Sequence, residues 1–425
     1  MAEQRSAMWE QIYSLPEMVA ECLPSFLDSA RAVLTPDVCG SIAQIHVVGC
    51  GDSHMAAVGA ELAFYTLAGL PTCSATALHF ARYVAPSLAE CGREGSTLLI
   101  GVSVSGEVAR TVEAIRLARK AGAVTAAVTG ALHSRLALSA DHVLQTAVPP
   151  QASPVRSPGV RSYMASLLML YSAAVRVGEV RGFLSAADAA AVRDELRQMP
   201  EAIAATLRAN DEAIDRLVMA WQDAQQFVFL GGGPNYGTAL FSAAKLLEAS
   251  GDAALGQDTE EWAHLQYFAR EVATPTFVID AQGRSYSRAC EVTAAARAIG
   301  RRVAAVVPQG ETVISSRADA VLPVLGGVGT PSRVLGGVGT PSRASATAPR
   351  VLGGVGGTRE AFSPLLYSLP GMLIASYRAQ VLQESYYRAF GGGRSACEGG
   401  GASRVQSSAL QEECVPPRGG RTECR

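Results

Sequence analysis

Two short turns hold the residues best suited to chemistry. GCGDSH (49–54) and SVSGE (103–107) each follow an apolar run and precede an alanine-rich helical pattern. In an open parallel sheet ligands bind beyond the carboxyl ends of strands, where the unpaired N–H groups of the next helix favour an anion. Gly51 and Gly106 let the backbone approach, and Ser53, Ser103 and Ser105 supply hydroxyls, so the natural guest is phosphate. Helix capping is the competing explanation for any one of these serines, and three of them on two strand ends weigh against it. Lysine is a second signal, because Lys120 and Lys245 stand against 34 arginines. Lys120, in RLARKAGA, reads as a solvated helix end, whereas Lys245 lies in the apolar setting AKLLEAS.

The elements that must position these residues alternate in kind. Residues 1–35 read as helix, interrupted near Pro16. Strand-like runs follow at 45–49, 96–102, 124–130 and 141–146, with helical patterns between them, and PTCSATAL marks a further strand region. After a helical segment from about Ala186 to Gln222 the order recurs, with strands at 227–232, 274–280, 302–308 and 319–324. Strand alternating with helix predicts α/β architecture with two doubly wound parallel sheets in tandem, the first domain over 36–185 and the second over 186–390. VLGGVGTPSR occurs twice in tandem from 324 and VLGGVGG recurs at 351–357, which reads as a glycine-rich flexible insertion, and residues 391–425 read as a disordered tail.

The totals exclude several classes. A chain of 425 residues, 48% hydrophobic and 17% charged, has room for two substantial cores. A net charge of −2 gives no electrostatic reason to expect nucleic acid or an anionic membrane as partner. Nine scattered cysteines without C-x-x-C pairs read as free thiols, and no signal peptide or membrane-spanning run stands out, so the expected setting is the cytoplasm. A dinucleotide site fits poorly, because His54 stands where GCGDSH would need its third glycine and PTCSATAL ends without the acid that would bind ribose. No metal or cofactor is implied.

CGDS with SVSGE, followed by AAKLLEAS and EEWAH, resembles the tandem sugar isomerase (SIS) domain family over roughly residues 40–390. It is most similar to the isomerase half of glucosamine-6-phosphate synthase and to stand-alone aminosugar-phosphate deaminases and fructosamine-phosphate deglycases. The resemblance implies two flavodoxin-like domains, a phosphorylated sugar or aminosugar as ligand, and phosphate contacts from Ser53, Ser103 and Ser105. The family's K-L-x-E helix maps onto Lys245 and Glu248. Moving a proton between C1 and C2 of an open-chain sugar needs one base that reaches both carbons, which a carboxylate on a rigid helix provides. A carboxylate beside a lysine is expected to stay ionised where the ion pair outweighs desolvation. The alternative for this pair is an i to i+3 ion pair on a solvated face. The family's E-x-x-H segment maps onto Glu261 and His264, and implies that the histidine opens the sugar ring and reaches a neighbouring subunit's site, hence a homodimer.

The sequence also departs from the family pattern. Val108 stands where the serine loop has threonine, and Val104 where it usually has glutamine. No lysine follows Lys245 to form the synthase's tail imine. Arg404 could take that place, but a guanidinium stays protonated and forms no imine. Only about 40 residues precede the first strand, so a synthase using glutamine through an attached glutaminase is not expected. Two functions follow: an isomerase, deaminase or deglycase on a sugar phosphate, or a non-catalytic sugar-phosphate sensor.

Overall fold

The computed structural model describes residues 5–90, 95–151, 153, 155–326 and 359–391. The expected insertion, apart from its first three residues, and the expected tail with Arg404, apart from its first residue, lie outside the described residues. Ser6 caps α1 (Ala7–Tyr13) by accepting from the Trp9 amide, and α2 (Leu15–Val33) follows a break at Ser14. Pro16 sits in the first turn of α2, where a missing N–H costs nothing.

The first parallel sheet contains β1 (Gln44–Gly49), β2 (Thr72–Thr76), β3 (Thr97–Val102), β4 (Val124–Thr129) and β5 (His142–Gln145), in the order β2-β1-β3-β4-β5. The second contains β6 (Gln226–Gly231), β7 (Ala253–Asp258), β8 (Pro275–Ile279), β9 (Arg302–Pro308) and β10 (Ala320–Val324), in the order β10-β9-β8-β6-β7. Counted from its own first strand, the second sheet repeats the order of the first. Both have the flavodoxin-like arrangement, with a topological switch point between the first and third strands.

The helices that matter for the site are α3 (Asp52–Ala63) and α4 (Ala109–Lys120) in the first half, then α5 (Arg161–Val180), α6 (Ala186–Arg197) and α7 (Met199–Ala220). The second half adds α8 (Pro234–Ser250), α9 (Thr259–His264), α10 (Tyr286–Ala298) and α11 (Pro364–Val381). No helix among the described residues is long and apolar enough to cross a membrane. Two elements escape pattern reading. β7, AALGQD, is a partly exposed edge strand with few apolar side chains, and α5 is buried along almost its whole length, so it has no polar face to mark a helical period.

One apolar core joins the two halves, with Phe26 of α2, Leu167 of α5, Phe241 of α8 and Leu366 of α11 packed into it. A smaller core covers the outer face of each sheet: Val48, Leu99 and Ile115 on the first, and Val228, Val278 and Val292 on the second. Where α8 crosses α3, a Cβ added at Gly237 would lie 2.6 Å from the Gly59 nitrogen and 2.7 Å from the Met55 carbonyl oxygen. The helices therefore touch backbone to backbone, and nothing flexible can yield there. Gly237→Val should force them apart and lower stability by about 1 to 3 kcal/mol, read as a shifted denaturation midpoint; an unchanged midpoint would refute the backbone contact.

Candidate active site at the seam of the two halves

β1 and β3 are neighbours, with Val48 opposite Gly101, so the two serine turns leave the sheet side by side at the switch point of the first half. Gly51, at φ 56° and ψ −131°, is the N-cap of α3, which places Ser53 inside the first helical turn. Ser103 is buried, and its Oγ has no hydrogen-bond partner among the described residues. The Oγ of Ser105 accepts from the Glu107 amide at 3.3 Å. Gly106 has φ 65°, and a Cβ there would lie 1.9 Å from the Ser134 Oγ, so only glycine closes this loop. α4 begins after Val108 with no side-chain cap. None of the three serines is a helix N-cap.

Lys245 enters the same region from the second half. It is fully buried on α8, so the pair with Glu248 is not on a solvated face. Its Nζ lies 2.5 Å from Glu248 Oε2 and 2.7 Å from Asp52 Oδ2. The crossing of Gly59 and Gly237 explains this meeting. Asp52 precedes Gly59 by seven residues and Lys245 follows Gly237 by eight, about two turns in each case, so antiparallel helices bring the two side chains together. The ammonium also lies over the Phe241 ring, 5.2 Å from its centroid, and Phe241 stacks on Tyr163 at 3.6 Å. The Tyr163 hydroxyl is buried with no hydrogen-bond partner among the described residues, and burial and the Asp52 charge raise its pKa.

Burial raises the Glu248 carboxyl first, Asp52 raises it further and Lys245 opposes both, leaving it pushed up to about 7. Burial, with Asp52 adding to it, outweighs the ion pair here, so the condition on which Glu248 is expected to stay ionised is not met. Burial works against the Lys245 charge, but Asp52 and Glu248 hold its pKa above the ordinary value. Tyr387 donates to the Ser157 carbonyl oxygen at 3.3 Å, and its phenol is pushed up to about 12, by burial first and then by Glu248.

The structure does not bring the E-x-x-H residues to this cluster. Glu261 is exposed on α9, and His264 is 65% exposed, with Nε2 3.0 Å from Glu260, which Arg288 also holds. Asp52 and Tyr163 are the site residues that sequence reasoning passed over. Asp52 stands inside the turn chosen for its serine, where an acid at a helix start is ordinary, and Tyr163 lies in the helix without an amphipathic period.

The comparisons agree with this architecture. Residues 41–176 match the model of the SIS domain. The chain is similar to the isomerizing glutamine–fructose-6-phosphate aminotransferase of Gloeobacter violaceus, 27% identical over 324 residues, which are 75% of this chain and 52% of the relative. The chain thus spans about half the length of the curated relatives it matches. Its fold is similar to the C-terminal domain of glucosamine-fructose-6-phosphate aminotransferase from Francisella tularensis, with TM-score 0.72 and 18% identity, covering 89% of this chain and 97% of that one. The glucosamine-6-phosphate deaminase of Thermotoga maritima superposes with TM-score 0.62 and 17% identity, covering 90% and 97%. Two parallel five-stranded sheets with flanking helices are the tandem SIS arrangement.

The raised Glu248 carboxyl has a consequence for stability. Between its ordinary value of 4.5 and about 7 the folded chain binds the proton that the unfolded chain releases, so this group's contribution falls as pH rises through that window. Glu248→Gln removes the dependence. Its Tm relative to wild type should rise between pH 5 and pH 8, and a Tm difference independent of pH would contradict the raised carboxyl.

Proposed function

We propose that this protein acts on an open-chain phosphorylated sugar or aminosugar, as an isomerase, deaminase or deglycase. The observation that carries the reading is the buried Lys245, shared by Glu248 and Asp52, of which Asp52 stands next to Ser53 at the start of α3. Ser53, Ser103 and Ser105, with the amides around Gly51 and Gly106, hold the phosphate. Glu248 takes the proton from C2, the C–H electron pair forms the C1=C2 bond of an enediol, and the O1 carbonyl gains a proton. The C1=C2 electron pair then takes a proton back at C1 while O2 gives up its own proton, which leaves the carbonyl at C2. With a 2-amino sugar the same transfer gives a C2 imine, to which water adds before ammonia leaves. A base that titrates near 7 suits both directions of the transfer.

Ring opening falls to His264, with Glu261 beside it, supplied to the site by a second copy of the chain. Its exposure supports this, as do the exposed Leu265 and Phe268 that follow it. A sugar-phosphate sensor is the second reading, favoured by Val108, which leaves the start of α4 without a side-chain hydroxyl.

Two measurements test the assignment. Ser103→Ala with Ser105→Ala should weaken binding of glucosamine 6-phosphate by roughly 1 to 3 kcal/mol per lost hydroxyl in calorimetry, and undiminished affinity would remove the serine turns from the phosphate site. Glu248→Gln should slow solvent-deuterium incorporation at C1 of fructose 6-phosphate or C2 of glucosamine 6-phosphate about 100-fold or more while binding survives. Exchange at the wild-type rate in the variant would exclude Glu248 as the base, and binding without exchange in the wild type would establish the sensor.

A further inference from the structure

Asp52 has a contact that helix-start chemistry does not explain. An acid in the first turn ordinarily serves its own helix by facing the free amides, yet Asp52 Oδ1 accepts from no amide of α3. Asp52 Oδ2 instead crosses to the other half and meets the fully buried ammonium of Lys245 at 2.7 Å, while its Oδ1 is buried with no hydrogen-bond partner among the described residues. Glu248 meets the same ammonium from within α8 at 2.5 Å. The groups facing Glu248 are therefore Lys245 from its own helix, Asp52 from α3 and the Tyr387 phenol from the turn Tyr386–Phe390. Two carboxylates and one ammonium leave an excess negative charge in a desolvated place, and uptake of one proton relieves it.

We propose that Asp52 is a positioning residue for proton transfer: by sharing Lys245 across the seam it keeps the ammonium from neutralising Glu248 alone, and so makes Glu248 the carboxyl that carries the site's exchangeable proton. Asp52 touches no reacting atom in this role. It acts through Lys245, whose position is fixed by the crossing of α3 and α8. Losing its charge leaves Lys245 to pair with Glu248 undivided, which holds Glu248 ionised to lower pH and makes it a poorer proton carrier near neutrality.

The proposal rests on Glu248 being the proton-transfer group, and its test needs no substrate. The Glu248 carboxyl is titrated by carbon-13 NMR on glutamate-labelled full chain, with Glu248→Gln identifying the resonance. In Asp52→Asn the midpoint should fall by about one unit or more from that of the wild type, and Asp52→Glu should restore it in part. Asp52→Ser carries the same expectation if the asparagine variant does not fold. A midpoint unchanged in the folded variants, even with a lowered Tm, would reduce Asp52 to a structural contact and overturn the proposal. The two readings fail separately. A lowered midpoint in a protein that exchanges deuterium into no sugar phosphate rejects the enzymatic reading, and with it the catalytic meaning of Asp52. Exchange in the wild type with an unmoved Glu248 midpoint in the variants rejects the role of Asp52 alone.

Discussion

The structure depends on one buried ammonium. Lys245 has no solvent to hydrate it, and a desolvated charge survives only where partners meet it at close range. One partner, Glu248, lies three residues along the same helix, and the other, Asp52, belongs to the opposite half. The bridge thus requires that the halves pack in one register. The backbone contact at Gly59 and Gly237 sets that register, and the shared core around Phe241 and Leu366 holds it. Removing either carboxylate leaves the other to meet the charge alone, so the packing of the halves and the protonation of the site are one problem.

The two halves repeat a topology without repeating its chemistry. Gly51 and Gly233 end the first strands of their sheets with nearly identical backbone, φ 56° and ψ −131° against φ 54° and ψ −127°. In the first half this turn leads to Ser53, and the neighbouring turn carries Ser103 and Ser105. In the second half it leads to Pro234 and Asn235, and the neighbouring strand end carries Asp280. That carboxylate accepts from the Gln282 amide at 2.7 Å and from the Ser285 Oγ at 3.0 Å, and burial pushes it up to about 6. A Cβ at Gly232 would lie 2.6 Å from the Ser285 Oγ, so Ser285 packs directly against this turn. The second half contributes to the seam through α8, while the first keeps the turns suited to an anion.

Much of this was legible in the sequence. The strand and helix alternation, the tandem halves and the serine turns are local features, written in period and in the residues that follow each strand. Gly51 and Gly106 announce turns that other residues cannot make. The K-L-x-E stretch was readable as a motif, and its apolar flanks already set it apart from a solvated helix face. β7 and α5 were not legible, because an edge strand with few apolar side chains and a helix buried on all sides both lack the two-faced pattern that periodicity detects.

Only the tertiary structure decided what Lys245 pairs with and what that does to Glu248. Asp52 lies 193 residues before Lys245, and its place beside the ammonium follows from two glycines allowing α3 and α8 to touch. A sequence names the carboxylates but not their distances, and the balance between desolvation and ion pairing depends on distance and burial. The sequence by itself therefore determined which chemical groups the seam could draw on. The fold determined that Glu248 is buried and shares one cation with Asp52, which together push its carboxyl up to about 7 from the ordinary carboxylate range.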